Sequence, residues 1–222
     1  MTEHTVTAFD DDLNFLVAKI SEMGGNAESM VARSVNSLLT ADEGLARSVV
    51  ADDRVLDALQ VEIDDHVVLL IAKRQPMAQD LRVAIGALRM ATDLERIGDL
   101  GKNIARRSFQ IEDNLPTKKL QRGLQHLTNV SLEQLKDALD AYAAKDIEKA
   151  RTVWDRDDEI DSLYTSLFRE FLTYMMEDPR NITYCTHLLF CAKNLERIGD
   201  HVTNLAETTN YIVNGSYEID QD

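Results

Sequence analysis

The chain has 222 residues, with 24 Lys+Arg against 39 Asp+Glu for a formal net charge of −15. Nothing in it resembles the basic stripe with which nucleic-acid binders displace counterions from phosphates, so that partner class is excluded and cations or basic protein surfaces are favoured. A hydrophobic share of 44% argues against wholesale disorder, and nine Gly with three Pro are too few turn residues for an all-β chain.

The first residues include Glu3, Asp10, Asp11 and Asp12 and no apolar stretch that would read as a signal peptide. The strongest aliphatic run, residues 67–72, is six residues long, where a membrane span needs about 20. Cys185 and Cys191 cannot form a disulfide framework. The expectation is a soluble cytoplasmic protein that meets a membrane only through partners.

Helical periodicity divides the chain into six segments. The first is expected over 7–39, with Gly24-Gly25 placed to kink or break it. Thr40-Ala41-Asp42-Glu43 reads as a capping box, Glu43 reaching back to the cap N–H, and opens a second helix over 42–73. Pro76 suits the early part of a third helix, over 77–111, because a missing N–H is harmless there. Asn114-Leu115-Pro116 separates the halves. A fourth helix follows over 117–143, then a fifth over 147–177 with Asp146 as N-cap. The sixth covers 180–213, with Pro179 at its start. Core stripes step by three or four residues through Ala87, Met90, Leu94, Ile97, Gly101 and Ile104, and again through Leu188, Cys191, Leu195, Ile198, Val202 and Leu205.

Those two stripes are copies of one another. Leu-Glu-Arg-Ile-Gly-Asp occurs at 94–99 and at 195–200, an offset of 101. Upstream, the pattern holding Asp42, Ala46, Arg47, Asp53, Asp57 and Leu59 recurs as Asp146, Ala150, Arg151, Asp157, Asp161 and Leu163 at offset 104, with Pro76 and Pro179 between at 103. Matches in one order with a slowly drifting offset indicate internal duplication. The fold expected is all-α, two repeated antiparallel three-helix bundles over 7–111 and 117–213.

Each repeat carries two acidic pairs four residues apart, Asp53/Asp57 with Glu95/Asp99 and Asp157/Asp161 with Glu196/Asp200. Like charges on one helix face repel by roughly 0.2–0.5 kcal/mol per pair, so four matched pairs ask for a cation. With turns at 75.5 and 178.5 and a common rise per residue, Asp53 and Asp57 face positions 98 and 94, while Asp157 and Asp161 face Asp200 and Glu196. Whether the side chains converge or splay depends on bundle handedness, which spacing leaves open. Convergence would make a shallow acidic groove. Four carboxylates, joined by an amide oxygen of Asn103 or Asn204, form an all-oxygen set suited to Mg, Mn, Ca or oxidised Fe, with two or more bridged ions in view. The competing reading is a solvated acidic face paired locally with Arg96 and Arg197.

Other residues have plainer readings. His201 reads as a surface histidine more readily than as a ligand, and Cys191, four after His187, as a buried thiol on the core stripe. Trp154 and Tyr164 read as packing residues. Gly98 and Gly199 sit inside helices at a cost of up to ~1 kcal/mol against Ala, which suggests close helix approach or backbone access beside the acids. Arg82 reads equally as a partner-surface residue or a surface ion pair.

These residues resemble the PhoU family of bacterial phosphate-signalling regulators, over about 8–215. The stretches that carry the likeness are Arg74-Gln75-Pro76 with Asp80-Leu81-Arg82, Asp93 through Asp99, and Asn194 through His201 with Asn204. The resemblance implies metal ions or clusters at the repeated acidic motifs, a homodimer, and a role without catalysis. That role is negative regulation of the phosphate-starvation response and modulation of phosphate uptake, linking the ATPase subunit of a phosphate ABC transporter to a sensor histidine kinase. Two other readings compete with it. A di-iron carboxylate enzyme would need Glu-x-x-His pairs, which the chain lacks; a purely structural dimeric bundle would hold no metal.

Overall fold

A computed structural model describes residues 2–111 and 118–219. Helix α1 (Thr2–Thr40), α2 (Glu43–Arg74) and α3 (Gln79–Ser108) pack on one another as the first bundle. In the second bundle α4 (Lys118–Ala144), α5 (Ile147–Asp155) and α6 (Asp157–Glu177) pack with α7 (Ile182–Asn214), which follows a 3₁₀ turn at Pro179–Asn181. The bundles meet along α3 against α7, with α1 against α4 beside them. The expected stripes are the buried ones, Met90, Leu94, Ile97 and Ile104 in one half and Leu188, Leu195, Ile198 and Val202 in the other, and Leu56, Ile63 and Ile160 of the facing helices are buried with them. Trp154 and Tyr164 pack against this core, and Cys185 and Cys191 are buried free thiols.

Several boundaries differ from expectation for local reasons. Gly24-Gly25 neither breaks nor interrupts α1. Gly24 is buried against Leu139 of α4, whose Cδ1 would lie 2.6 Å from an added β-carbon, so it serves close packing between the bundles. The cap of α2 is Asp42, not Thr40: Asp42 Oδ1 accepts from the Leu45 N–H at 2.9 Å. Thr40 instead donates to the Asn36 carbonyl inside α1, and Glu43 pairs with Arg47. Asp146 does cap α5, accepting from the Lys149 N–H at 3.0 Å. Pro76 lies outside α3, in the connection that follows the left-handed Gln75 (φ 49) closing α2, and the helix begins only at Gln79. Without an N–H, Pro76 stops the preceding helix. Pro179 opens the 3₁₀ turn, as a helix-start proline should. The fifth expected helix is divided at Arg156, whose carbonyl accepts from the buried Gln134 side chain at 3.1 Å. Asn114-Leu115-Pro116 lies outside the described residues.

Gly98 and Gly199 are where the hairpins close. A β-carbon at Gly98 would stand 2.1 Å from Leu56 Cδ1, and one at Gly199 would stand 2.9 Å from Ile160 Cδ1. Both contacts are shorter than the ~3.5–4.0 Å of relaxed carbon neighbours. Each glycine therefore lets a large side chain of the partner helix seat directly on the motif helix, one residue before Asp99 or Asp200. Close approach, the first of the two readings for these glycines, is what the packing uses.

Candidate metal centre

The same close approach brings the acids of the first repeat together. Lys102 Nζ lies 2.6 Å from Asp53 of α2 and 2.5 Å from Asp99 of α3, so the two acidic helices share one ammonium. Burial opposes the charge on Lys102, but the Asp53 and Asp99 carboxylates together hold it above the ordinary lysine value. Glu95 is held above the usual carboxylate range, first by burial, then by Asp99, with Asp57 and Asp53 adding to the effect. Arg96 lies 3.5 Å from Glu95 and 3.6 Å from Asp99 on the solvent side. The hand of the bundle thus makes the pairs converge.

The second repeat assembles the same acids with different support. Asp157 stands at the first turn of α6, immediately after the Arg156 break, and accepts from Thr203 Oγ1 at 2.8 Å. Thr203 corresponds to Lys102 at the 101-residue offset, so a neutral hydroxyl replaces the bridging ammonium. Lys193 pairs instead with Glu196 Oε1. The other oxygen, Glu196 Oε2, is buried with no hydrogen-bond partner among the described residues. Burial raises Asp161, helped by Glu196 and Asp157; burial also raises Asp200, helped by Asp157. The all-oxygen donor set and the orphaned Glu196 oxygen fit a hard cation. Among the described residues, however, no three His, Cys, Asp or Glu side chains are gathered tightly enough to hold an ion as they stand.

Asn103 and Asn204 do not join these acids. Asn204 Nδ2 donates to Asp93 Oδ1 of the other repeat at 3.1 Å, and Asn103 lines a groove with Asn194, Arg106 and Arg107. His201 is likewise drawn inward, its Nδ1 2.9 Å from the same Asp93 oxygen. Asn204 and His201 on α7 thus share one acceptor on α3. Lys102 and Thr203 belong to no repeated string, and the only sequence signal for them is the offset that pairs them one turn beyond each motif. Arg82 packs beside Gly215 at the end of α7, its Nη1 3.4 Å from where a β-carbon would be.

Each bundle thus carries one helix hairpin with acids on both of its helices. The PhoU domain family model matches twice, at residues 20–108 and 124–209, once in each bundle. The chain belongs to the PhoU family. A phosphate-specific transport system accessory protein PhoU homolog of Rhizobium meliloti is 56% identical over 96% of this chain and 90% of its own length. One from Caulobacter vibrioides is 49% identical over 97% and 94%. The crystal structure of PhoU from Pseudomonas aeruginosa superposes with a TM-score of 0.88 at 36% identity, covering 94% of this chain and all of that one. That of the phosphate transport system regulatory protein PhoU from Streptococcus pneumoniae gives 0.87 at 27% identity, covering 96% of this chain and all of that one. The acidic motifs of this chain lie on α2/α3 and α6/α7. No helix among the described residues is long and apolar enough to cross a membrane.

Proposed function

We propose that this protein is a cytoplasmic, non-catalytic accessory of a phosphate ABC transporter that restrains the phosphate-starvation response. It would work as a homodimer, contacting the transporter's ATPase subunit and a sensor histidine kinase. The observation that carries this reading is the 56% identity, across nearly the whole chain, to a protein named as a phosphate-specific transport system accessory protein. The net charge of −15 suits basic patches on partners, steering encounter more than adding affinity. Deleting the gene should switch on phosphate-scavenging genes in phosphate-rich medium; a silent response would sink the assignment.

Within that role, Asp53, Asp57, Glu95 and Asp99, and Asp157, Asp161, Glu196 and Asp200, would hold hard metal ions, singly or bridged. Bound ions would neutralise like charges and cross-link the helices of each hairpin. Support comes from the convergence of acids from two helices and from the unpartnered Glu196 oxygen. Because Lys102 already bridges Asp53 and Asp99 while Thr203 supplies only a hydroxyl, the second repeat is the stronger of the two sites. Metal analysis of purified protein should find ions that fall sharply in a Glu196→Ala, Asp200→Ala double variant. Unchanged content would remove both residues from the ligand set.

A further inference from the structure

Duplication leaves two equivalent grooves between α3 and α7, and their chemistry has diverged. The first, about 370 Å³, includes Arg89, Asp93, Asn204, Glu207 and Tyr217 in its lining. Tyr217, which follows α7, forms part of its wall. Tyr217 stacks on Tyr211 with ring centroids 4.2 Å apart, under the Arg89 guanidinium at 4.2 Å, and Asn210 Nδ2 donates to the Ser216 and Glu218 carbonyls.

At the other end of the helix pair, a groove of about 410 Å³ is lined by Asn103, Arg106, Arg107, Gln110, Phe190 and Asn194. The 101-residue offset sets Asn194 against Asp93, Arg106 against Glu207 and Arg107 against Thr208. Every carboxylate of the first groove has become an amide or a guanidinium, in a chain whose net charge is −15. Among the described residues neither Arg106 nor Arg107 is paired with an acid; Arg107 lies over the Phe190 ring at 4.3 Å. The positive field reaches His187, whose imidazole burial lowers and Arg107 lowers further.

The second groove has also lost what holds a peptide in the first. Phe109 stands where Asn210 clamps backbone carbonyls, and Gln110 where Tyr211 stacks. What remains is a concave lining of two guanidinium groups and three side-chain amides with no acid among them. Arg in the last turn of a helix also complements its dipole, as Lys73 and Arg74 do on α2. Helix termination alone does not account for Asn103 and Asn194 facing the same space, nor for the loss of both acids.

We propose that the groove lined by Asn103, Arg106, Arg107, Gln110 and Asn194 binds the phosphate oxyanion of a small molecule. Guanidinium forks match tetrahedral oxyanions with paired donors, and the amide side chains complete the shell. The site is separate from the carboxylate grooves and needs no metal.

The test is calorimetric titration of the full-length protein, in buffer containing a chelator, with inorganic phosphate and separately with ATP. At least one should bind saturably. Arg106→Gln should weaken it about tenfold, the loss expected for a charged hydrogen bond, and adding Arg107→Gln should abolish it. Arg106 is exposed, so its single variant should keep the wild-type melting temperature and decides the matter even if the double variant folds poorly. Saturation by inorganic phosphate identifies a free anion as the ligand; saturation by ATP alone identifies a phosphorylated molecule whose remainder also sits in the groove. Absence of saturable binding of either at millimolar concentration, or equal binding by wild type and Arg106→Gln, overturns the proposal.

Discussion

Gly98→Ala is the substitution that most directly probes how the hairpin brings its acids together. An added β-carbon would stand 2.1 Å from Leu56 Cδ1, 3.5 Å from its Cγ and 3.9 Å from Met30 Cε. The nearest of these falls more than 1 Å short of relaxed contact. Leu56 and Met30 are each 1% exposed, so Leu56 has little room to swing aside. Overpacking of this kind costs ~1–3 kcal/mol, against ~1 kcal/mol gained by replacing a helical glycine. The net is a loss of about 1 kcal/mol, or a fall of about 2–4 °C in melting temperature for a chain of this size. Gly25 supplies the control: it is exposed in α1 and nothing would lie within 4 Å of its β-carbon. Gly25→Ala should therefore stabilise by ~0.5–1 kcal/mol. Urea unfolding followed by helical circular dichroism measures both. Leu56→Ala alone should cost ~2–5 kcal/mol, and combining it with Gly98→Ala should cost less than the sum, because the clash is gone. If Gly98→Ala stabilises as much as Gly25→Ala does, the glycine is no spacer and the account of the hairpin is wrong.

Two further outcomes follow from the charges. Lys102→Met leaves Asp53 and Asp99 without their shared ammonium and should lower stability by ~1–3 kcal/mol in chelator; added Mn²⁺ should recover most of that loss, and thermal melts unmoved by the ion would count against a cation at the first repeat. Asp93→Ala removes the acceptor shared by His201 and Asn204 and should cost ~1–3 kcal/mol in urea unfolding. A change below about 0.5 kcal/mol, typical of an ordinary surface position, would show that this cross-bundle contact does not hold α3 to α7.

Sequence alone determined the duplication, the helical class and the four acidic pairs, because each is local. Periodicity of three and four, repeated strings and i, i+4 spacing are properties of the chain itself. The buried stripes through Leu94 and Leu195 and the hinge of each hairpin near its proline were legible for that reason. The boundaries at Asp42, Pro76 and Arg156 were less so, since a cap or break depends on which side chain reaches a terminal N–H or carbonyl: Asp42 rather than Thr40 in one case, Gln134 from another helix in the next. Only the tertiary structure decided that the acids converge, because two helices can be set at equal height by counting residues but not turned toward each other without the hand of the bundle. It also decided that Lys102 and Thr203 support the two repeats differently, and that Asn204 and His201 reach across the α3–α7 seam to Asp93. Those outcomes depend on which helix faces which across a distance of about a hundred residues, and no pattern within one helix encodes its neighbour.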